Sequence, residues 1–272
     1  MADVRAGVPG SFTEVLPISA SRAGLSGLAW IDSRRLAHTS LQGGLHQIFV
    51  TDTASKEARP LTSGPAHTSP SVSRDGRTMI ALRADGDRSH VWRVDPETGR
   101  EQQLTEGQFD AVATISPEGR WVVYSTVMTD ARQLMKVPIS GGTPVALTQR
   151  SAFAFGISPD GLSVYGNEFG SDDVPQGRIF PMAGGEPRAF SGLPDSARDP
   201  RLLPDGHTVS YLITQEGADE LWVLPLGAGS AHRLVRFEGK DVIAHAWSPD
   251  GARLAIVRVA QSGNVVLLKR TR

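Results

Sequence analysis

Ser248-Pro249-Asp250-Gly251 is the last of five similar tetrapeptides that decide the fold of this 272-residue chain. Each copy has the chemistry of a tight turn, because proline fixes φ, aspartate bonds its own backbone two residues on, and glycine accepts a positive φ. The four earlier copies are Ser73-Arg74-Asp75-Gly76, Ser116-Pro117-Glu118-Gly119, Ser158-Pro159-Asp160-Gly161 and Leu203-Pro204-Asp205-Gly206.

These turns recur at a nearly constant period. Their acidic positions, 75, 118, 160, 205 and 250, are separated by 43, 42, 45 and 45 residues. A degenerate copy, Ile31-Asp32-Ser33-Arg34, lies 43 residues before the first of them. Self-similarity at such a period indicates a repeat architecture, and six copies predict six units.

Short apolar runs typical of β-strands flank each turn, for example Phe153-Ala154-Phe155-Gly156-Ile157 before one and Trp121-Val122-Val123-Tyr124 after another. A third apolar run follows in every unit. A short polar run then closes the unit, with endings such as Leu61-Thr62, Leu104-Thr105 and Leu147-Thr148. Four antiparallel strands at this period are typical of a propeller blade. The sequence therefore predicts an all-β, six-bladed β-propeller of four-stranded antiparallel blades.

The sixth unit has three strands before the chain stops at Arg272. Its fourth strand is predicted at the other end, where residues 13–19 resemble the closing strands and would remove an exposed sheet edge. The N-terminal strand would thus complete the C-terminal blade and close the ring. After a tail at 1–11, residues 12–272 form one predicted domain, with blades at 24–62, 67–105, 109–148, 152–191, 197–235, and 241–270 plus 13–19.

Composition excludes several function classes. The formal charge of −1 comes from 28 basic and 29 acidic residues, which argues against nucleic acid as a partner. The chain has no cysteine, so disulfides, thiolate metal sites and thiol catalysis are excluded. No signal peptide is expected in residues 1–11, and no apolar run is long enough to insert into a membrane. A monomer is expected, and the compartment stays open.

The Ser-Pro-Asp-Gly turn and the closing Leu-Thr resemble the TolB-like (WD40-like) six-bladed propeller repeats of bacterial proteins. The stretch from Trp247 to Leu268 is most similar to the carboxy-terminal propeller regions of bacterial serine/threonine kinases, although no kinase motif is present. This resemblance implies a sensor or interaction propeller that binds a protein, a peptide or a small polar ligand. It also leaves open an accessory propeller of a prolyl-oligopeptidase-like enzyme, and it slightly favours an extracytoplasmic location.

No catalytic motif is found. Gly24-Leu25-Ser26-Gly27-Leu28 lacks the last glycine of a nucleophile elbow, and Gly227-Ala228-Gly229 lacks the third glycine of a dinucleotide fingerprint. The acidic residues of the recurring turns are assigned to turn chemistry, since one per blade is too dispersed for paired acid-base work. We therefore expect no enzyme and no cofactor.

Metal binding is the weaker alternative. Six-bladed propellers can hold calcium through oxygen ligands, which would suit a calcium-dependent hydrolase or lactonase. Two acidic loops are weak candidates for such a site, although a solvated surface loop is the favoured interpretation of both: Asp85 with Asp87, and Asp172 with Asp173.

A partner is expected at the loops that join fourth to first strands and second to third strands, because a rigid scaffold presents variable loops there. The candidate residues form a set of mixed charge with two aromatics. They are His67, Phe109, Asp110, Phe153, Asp195, Arg198, Asp199, Asp241 and His245. For His245, a hydrogen-bonded place in the core is the favoured alternative.

Overall fold

The computed structural model describes residues 12–17, 27–128, 131–170, 174–190, 193–227, 229–239, 242–259 and 263–269, and these are strands, turns and loops. For 12–17 and 263–269 the description is of the backbone. None of the described segments is a helix with the length and apolarity needed to cross a bilayer.

The first half of the chain forms consecutive antiparallel meanders. Unit 1 comprises β2 (Leu28–Trp30), β3 (Arg35–Gln42), β4 (Leu45–Asp52) and β5 (Ala58–Pro60). Unit 2 comprises β6 (Ala66–Val72), β7 (Met79–Asp85), β8 (Arg88–Val94) and β9 (Glu101–Gln103). Unit 3 comprises β10 (Phe109–Ile115), β11 (Trp121–Met128), β12 (Ala131–Pro138) and the first half of β13 (Val145–Ile157).

The second half repeats this arrangement. Unit 4 comprises the second half of β13, β14 (Ser163–Phe169), β15 (Pro175–Pro181) and β16 (Arg188–Ala189). Unit 5 comprises β17 (Arg198–Leu202), β18 (Thr208–Gln215), β19 (Ala218–Pro225) and β20 (His232–Phe237). Unit 6 comprises β21 (Val242–Trp247), β22 (Arg253–Val259) and β23 (Gly263–Lys269), and its fourth strand is β1 (Phe12–Pro17).

One boundary differs from the sequence prediction. A loop is expected near position 150, but β13 runs without interruption through the end of unit 3 and the start of unit 4. Ser151 pairs with Gln133 of β12, and Ala152 pairs with Glu168 of β14. The connecting residues 148–151 contain neither glycine nor proline, whereas the corresponding connection after unit 1 contains Gly64-Pro65, so nothing breaks the strand here.

The recurring turns have the predicted mechanism. In the turn after β13, the Asp160 carboxylate accepts the N–H of Leu162 at 2.9 Å and the hydroxyl hydrogen of Ser158 at 2.5 Å. The Ser158 hydroxyl in turn accepts the N–H of Ser163 at 2.9 Å, and Gly161 has φ +72°. The Ser158 hydrogen bond lowers the pKa of the Asp160 carboxyl. The acidic residue is therefore used inside its own turn.

The closing threonines also have a repeated contact. In three units the hydroxyl of this threonine, at the end of the fourth strand, accepts a backbone N–H of the third strand. The pairs are Thr62 with Ile48 at 2.9 Å, Thr105 with Val91 at 2.9 Å, and Thr148 with Leu134 at 3.1 Å. The Leu-Thr signature is thus a tertiary contact that fastens the outer strand of the unit.

The apolar cores lie between neighbouring units. One cluster joins unit 1 to unit 2 through Ile48 and Met79, and another joins unit 5 to unit 6 through Leu221 and Ile256. A further cluster joins unit 1 to unit 6, where the Trp30 indole N–H also donates to the Ala246 carbonyl at 3.0 Å. Each of these clusters buries apolar side chains at the junction of two neighbouring units.

Strand β1 pairs antiparallel with β23, and the register runs from Phe12 opposite Leu268 to Pro17 opposite Asn264. This is the pairing predicted for the segment around Val15. The two ends of the described chain therefore lie in one sheet.

Candidate functional site

One cavity of about 220 Å³, which we call the inner cavity, is lined by the first strands of the units described above, β2, β6, β10, β13, β17 and β21. Its walls are the second halves of these strands and the turns that follow, so it opens at the turn end of the molecule. Among its lining residues are Trp30, Pro70, Thr114, Phe155, Arg201 and Trp247, one from each unit. The opposite side, with the connections between second and third strands, is the loop end.

Bulges interrupt the first strands of several units. The register shifts between Thr68 and Ser71 in β6, between Ala111 and Thr114 in β10, and between Arg198 and Arg201 in β17. Three non-glycine residues within these bulges have positive φ: Ser69 at 53°, Val112 at 48° and Asp199 at 45°. A β-branched residue such as Val112 is an outlier in this region. Such strained backbone is found preferentially at functional sites.

The predicted binding residues divide into exposed and buried groups. Phe109 is 45% exposed, Asp195 and Arg198 are exposed, and Phe153 is half-buried. Asp241, Asp172 and Asp173 lie outside the described residues. Asp85 and Asp87 are exposed at the hairpin between β7 and β8. Within the described part of the chain, no three or more His, Cys, Asp or Glu side chains are grouped so that they could hold a metal ion.

His67 is predicted at the channel mouth, and the structure places its side chain in a completely buried position between units 1 and 2. Its Nδ1 lies 3.2 Å from the Gln47 amide oxygen, and its Nε2 lies 3.1 Å from the Glu101 carboxylate. Glu101 also pairs with Arg83 at 3.0 Å, and the Arg83 guanidinium stacks 4.2 Å from the centre of the Trp92 ring. His67 therefore links two units.

Asp110, the next residue predicted at the mouth, is likewise buried. One carboxylate oxygen accepts the Thr105 hydroxyl hydrogen and lies 3.6 Å from His90 Nδ1. Burial, together with the Asp110 charge, raises the pKa of the Tyr124 hydroxyl. The packing of unit 2 against unit 3 thus encloses this carboxylate.

His245 and Asp199 form a buried relay between units 5 and 6. His245 Nδ1 lies 3.0 Å from Asp199 Oδ2, and its Nε2 is 2.7 Å from the Ser210 hydroxyl. The Trp247 indole N–H donates to Ser210 at 2.9 Å, so the Ser210 hydroxyl hydrogen is free to donate to the histidine. The His245 side chain is completely buried, which agrees with the core alternative and not with a contact at the mouth.

Asp199 is ionised in this relay. Burial raises the pKa of its carboxyl, but the Arg201 guanidinium and His245 outweigh that effect and leave the pKa below its usual range. Arg201 contacts Asp199 Oδ1 through Nε at 2.8 Å and through Nη2 at 2.7 Å. The carboxylate therefore fixes an arginine that lines the inner cavity.

Ser210, His245 and Asp199 contact one another in the same order as the serine, histidine and aspartate of a hydrolytic triad. Ser210 is completely buried, however, and its hydroxyl oxygen accepts the indole N–H of Trp247. A substrate therefore cannot reach this oxygen in this arrangement. The relay positions Arg201 instead. Sequence motifs did not identify Ser210, but its repeat position could have, because the equivalent residues in other units are apolar: Ile80, Val123 and Ala255.

Arg198 belongs to a second network that joins units 5 and 6. Its Nη2 donates to Asp219 Oδ1 at 2.7 Å, and Thr214 donates to the same oxygen at 2.6 Å. The other oxygen of Asp219 accepts the Val242 N–H at 2.9 Å. The sequence does not indicate a role for Asp219, because the residues around it do not show that the next unit supplies the Val242 N–H as its partner.

Apolar side chains are exposed at the loop end of units 3 and 4, whose first strands β10 and β13 contact each other. Phe109 and the strained Val112 are 45% and 42% exposed. Phe153 packs edge-on against Phe169, with ring centres 5.3 Å apart, and carries the Arg132 guanidinium 5.2 Å above its ring. We call Phe109, Val112 and Phe153 the loop-end apolar surface.

Comparisons with known proteins agree with this architecture. Residues 28–157 match the family description "TolB beta propeller domain". A segment of 84 residues, 31% of this chain, is 32% identical to Tricorn protease homolog 1 of Streptomyces coelicolor and spans 8% of that protein.

Two solved structures illustrate the likeness. TolB from Acinetobacter baumannii aligns over 89% of this chain and 65% of its own, with a TM-score of 0.71 and 14% identity. A gluconolactonase from Xanthomonas campestris aligns over 99% of this chain and 93% of its own, with a TM-score of 0.72 and 12% identity. The chain thus has the all-β fold of the TolB-like β-propellers, and over residues 28–157 it carries the repeat of that domain.

Proposed function

We propose that the chain is a closed six-bladed propeller that acts as a non-catalytic binding module and captures a protein or peptide at its loop end. Three observations support the closed ring. One cavity is lined by the first strand of every unit, an apolar cluster joins unit 6 to unit 1, and β1 pairs with β23.

The loop-end apolar surface is the observation that carries the proposed function. Phe109 and Val112 expose nearly half of their surface on a first strand, where the other units bury most of their apolar residues. Aromatic and apolar side chains together with an arginine, here Arg132 over the Phe153 ring, have the composition of a binding hot spot. Val112 lies in a bulge and has a strained positive φ, and strained conformations are found preferentially at functional sites.

The predicted mixed-charge rim contributes less than expected. Asp110 and His67 are buried, and Arg198 is held by Asp219, so these groups mainly join units. Asp195 remains exposed beside the unit 5 entrance and is a peripheral contact in this proposal. The binding energy is assigned to the apolar side chains.

The hydrolase or lactonase alternative rests on the fold that this chain shares with the Xanthomonas gluconolactonase. A propeller fold hosts many unrelated functions, so it does not favour one of them. The accessory-propeller alternative, a monomeric state and an extracytoplasmic location likewise stay predictions.

A displayed library of random peptides tests the proposal. Peptides selected on the wild-type chain should bind Phe109→Ser about 30-fold more weakly, because loss of a hot-spot aromatic costs about 2 kcal/mol. Leu162→Ser is the matched control, since Leu162 is 67% exposed but lies at the turn end, and its binding should be unchanged. Equal binding by wild type and Phe109→Ser, or no selectable peptide, would contradict the proposal.

A further inference from the structure

The inner cavity has an asymmetric charge that the proposed function does not use. Two arginines, Arg74 and Arg201, belong to its lining. Among the described residues that line the cavity, none is aspartate or glutamate. The lining of the cavity therefore carries two cationic side chains and no carboxylate among the described residues, while Asp75, Asp160, Asp205 and Asp250 at the same end accept hydrogen bonds within their own turns.

The Arg201 guanidinium is fixed by Asp199 and keeps N–H groups that make no contact with it. Both of its contacts go to one oxygen of Asp199, which leaves other guanidinium N–H groups available, and its side chain is 39% exposed. Asp199 is in turn fixed by His245, through the ring nitrogen and through the backbone N–H at 3.0 Å. A guanidinium fixed in this way loses little freedom when it binds an anion.

Arg74 supplies the uncompensated charge. Its backbone N–H donates to the Pro117 carbonyl at 2.9 Å, which ties the residue to the junction of units 2 and 3. Its side chain is exposed, and in the part of the chain described the neighbouring Asp75 pairs with Arg77 and not with Arg74. Asp199 offsets the charge of Arg201, so Arg74 is the lining residue whose charge no lining carboxylate offsets.

Apolar side chains from several units also line the cavity. Pro70, Pro159 and Pro249 come from three different units, and Trp247 lies beside the relay. The volume of about 220 Å³ is that of roughly seven water molecules, which suits a small molecule and is too little for a folded segment. Cationic groups and an apolar wall together fit a ligand with a charged end and an apolar body.

We propose that the inner cavity binds a small organic monocarboxylate, with the carboxylate at Arg201, the apolar body against the proline and tryptophan side chains, and the charge of Arg74 adding attraction from elsewhere in the lining. Arginine matches a carboxylate through paired N–H donors. This site lies at the turn end, so it is independent of the loop-end apolar surface and would survive the failure of that proposal.

Benzoate is the test ligand, and the indole N–H resonances of the isotope-labelled protein are the readout. We expect the Trp247 resonance to shift on titration, with a dissociation constant of about 1 mM or below. Two further titrations separate the contributions to binding. Benzyl alcohol carries the ring without the charge, and inorganic phosphate carries charge without the ring; both should bind at least about tenfold more weakly.

Three variants complete the test. Arg201→Gln should weaken benzoate binding about tenfold, and Arg74→Gln should weaken it about threefold by removing positive charge from the cavity, without disturbing an ion pair inside the protein. Arg132→Gln removes an arginine at the loop end and should leave benzoate binding unchanged. The proposal is overturned if benzoate does not bind, if benzyl alcohol or phosphate binds equally well, or if Arg74→Gln and Arg201→Gln both bind like wild type.

Discussion

His38 shows how a polar side chain is accommodated in a propeller interior. It lies in β3 and is almost fully buried, and its ring stacks on Phe49 with centres 5.9 Å apart. Its Nε2 is 2.9 Å from the Thr51 hydroxyl. Burial lowers the pKa of His38 to about 4, because the charged ring would lose its hydration.

This pKa makes stability depend on pH. The unfolded chain binds a proton at His38 near pH 6.5 and the folded chain only near pH 4, so protonation favours unfolding between these values. We expect the contribution of His38 to be complete above pH 6.5 and to fall by about 3 kcal/mol as the pH drops to 4. Denaturant unfolding at several pH values measures it.

The control for His38 is a histidine on the surface. His38→Gln keeps a hydrogen-bonding group near Thr51 and should flatten the pH dependence between 6.5 and 4. His207→Gln replaces an exposed histidine and should leave the dependence as in wild type. Parallel profiles for wild type and His38→Gln would show that other groups dominate.

At the scale of the element, the first strands differ from the turns that follow them. The turns repeat one set of hydrogen bonds, whereas the bulges place different residues at the same strained position: Ser69, Val112 and Asp199. Serine and aspartate tolerate or use this conformation, and valine does not. In unit 3 the residue with this unfavourable backbone conformation is therefore a valine whose side chain is 42% exposed.

Val112→Asn is therefore expected to raise the free energy of unfolding by about 1 kcal/mol, because asparagine accepts a positive φ. The matched control is Val145→Asn, at a strand position that is 49% exposed and has no positive φ. There the same change should lower stability by about 0.5 kcal/mol. Denaturant unfolding measures both, and a Val112→Asn variant less stable than wild type would contradict the strain argument.

The elements also show what sequence reasoning can reach. Turn chemistry depends on four or five adjacent residues, so the turn at Ser158 to Ser163 could be predicted in detail. The bulges and the continuous β13 depend on register with a neighbouring strand, which no adjacent residue encodes. The repeat period identified the strands, but it could not show where a strand gains an extra residue.

At the scale of the whole molecule, the sequence indicated the repeat and the pairing of its two ends, but it did not indicate the site. The relay of Asp199, Ser210 and His245 draws on three strands of two units. Asp110 and His67 look like rim residues in the sequence because the burial comes from the unit packed beside them. Contacts between units decide which polar residues remain available, and a single repeat does not contain them.

The pairing of β1 with β23 is the contact that joins the two chain ends, and it gives a prediction for the molecule as a whole. Five positions are paired across these strands. Removal of residues 1–17 should lower the free energy of unfolding by about 2–4 kcal/mol, since each lost backbone hydrogen bond contributes about 0.5–1 kcal/mol. It should also uncover the edge of β23, which can then pair with another chain.

Removal of residues 1–11 is the matched control, because it shortens the chain and leaves β1 in place. Thermal unfolding and size-exclusion chromatography of the two shortened chains separate the outcomes. The chain without β1 should melt earlier and elute partly as larger species, while the control behaves like the full chain. If both shortened chains had the same melting temperature and eluted as one species of the expected size, the proposed stabilisation by the pairing of β1 with β23 would be refuted.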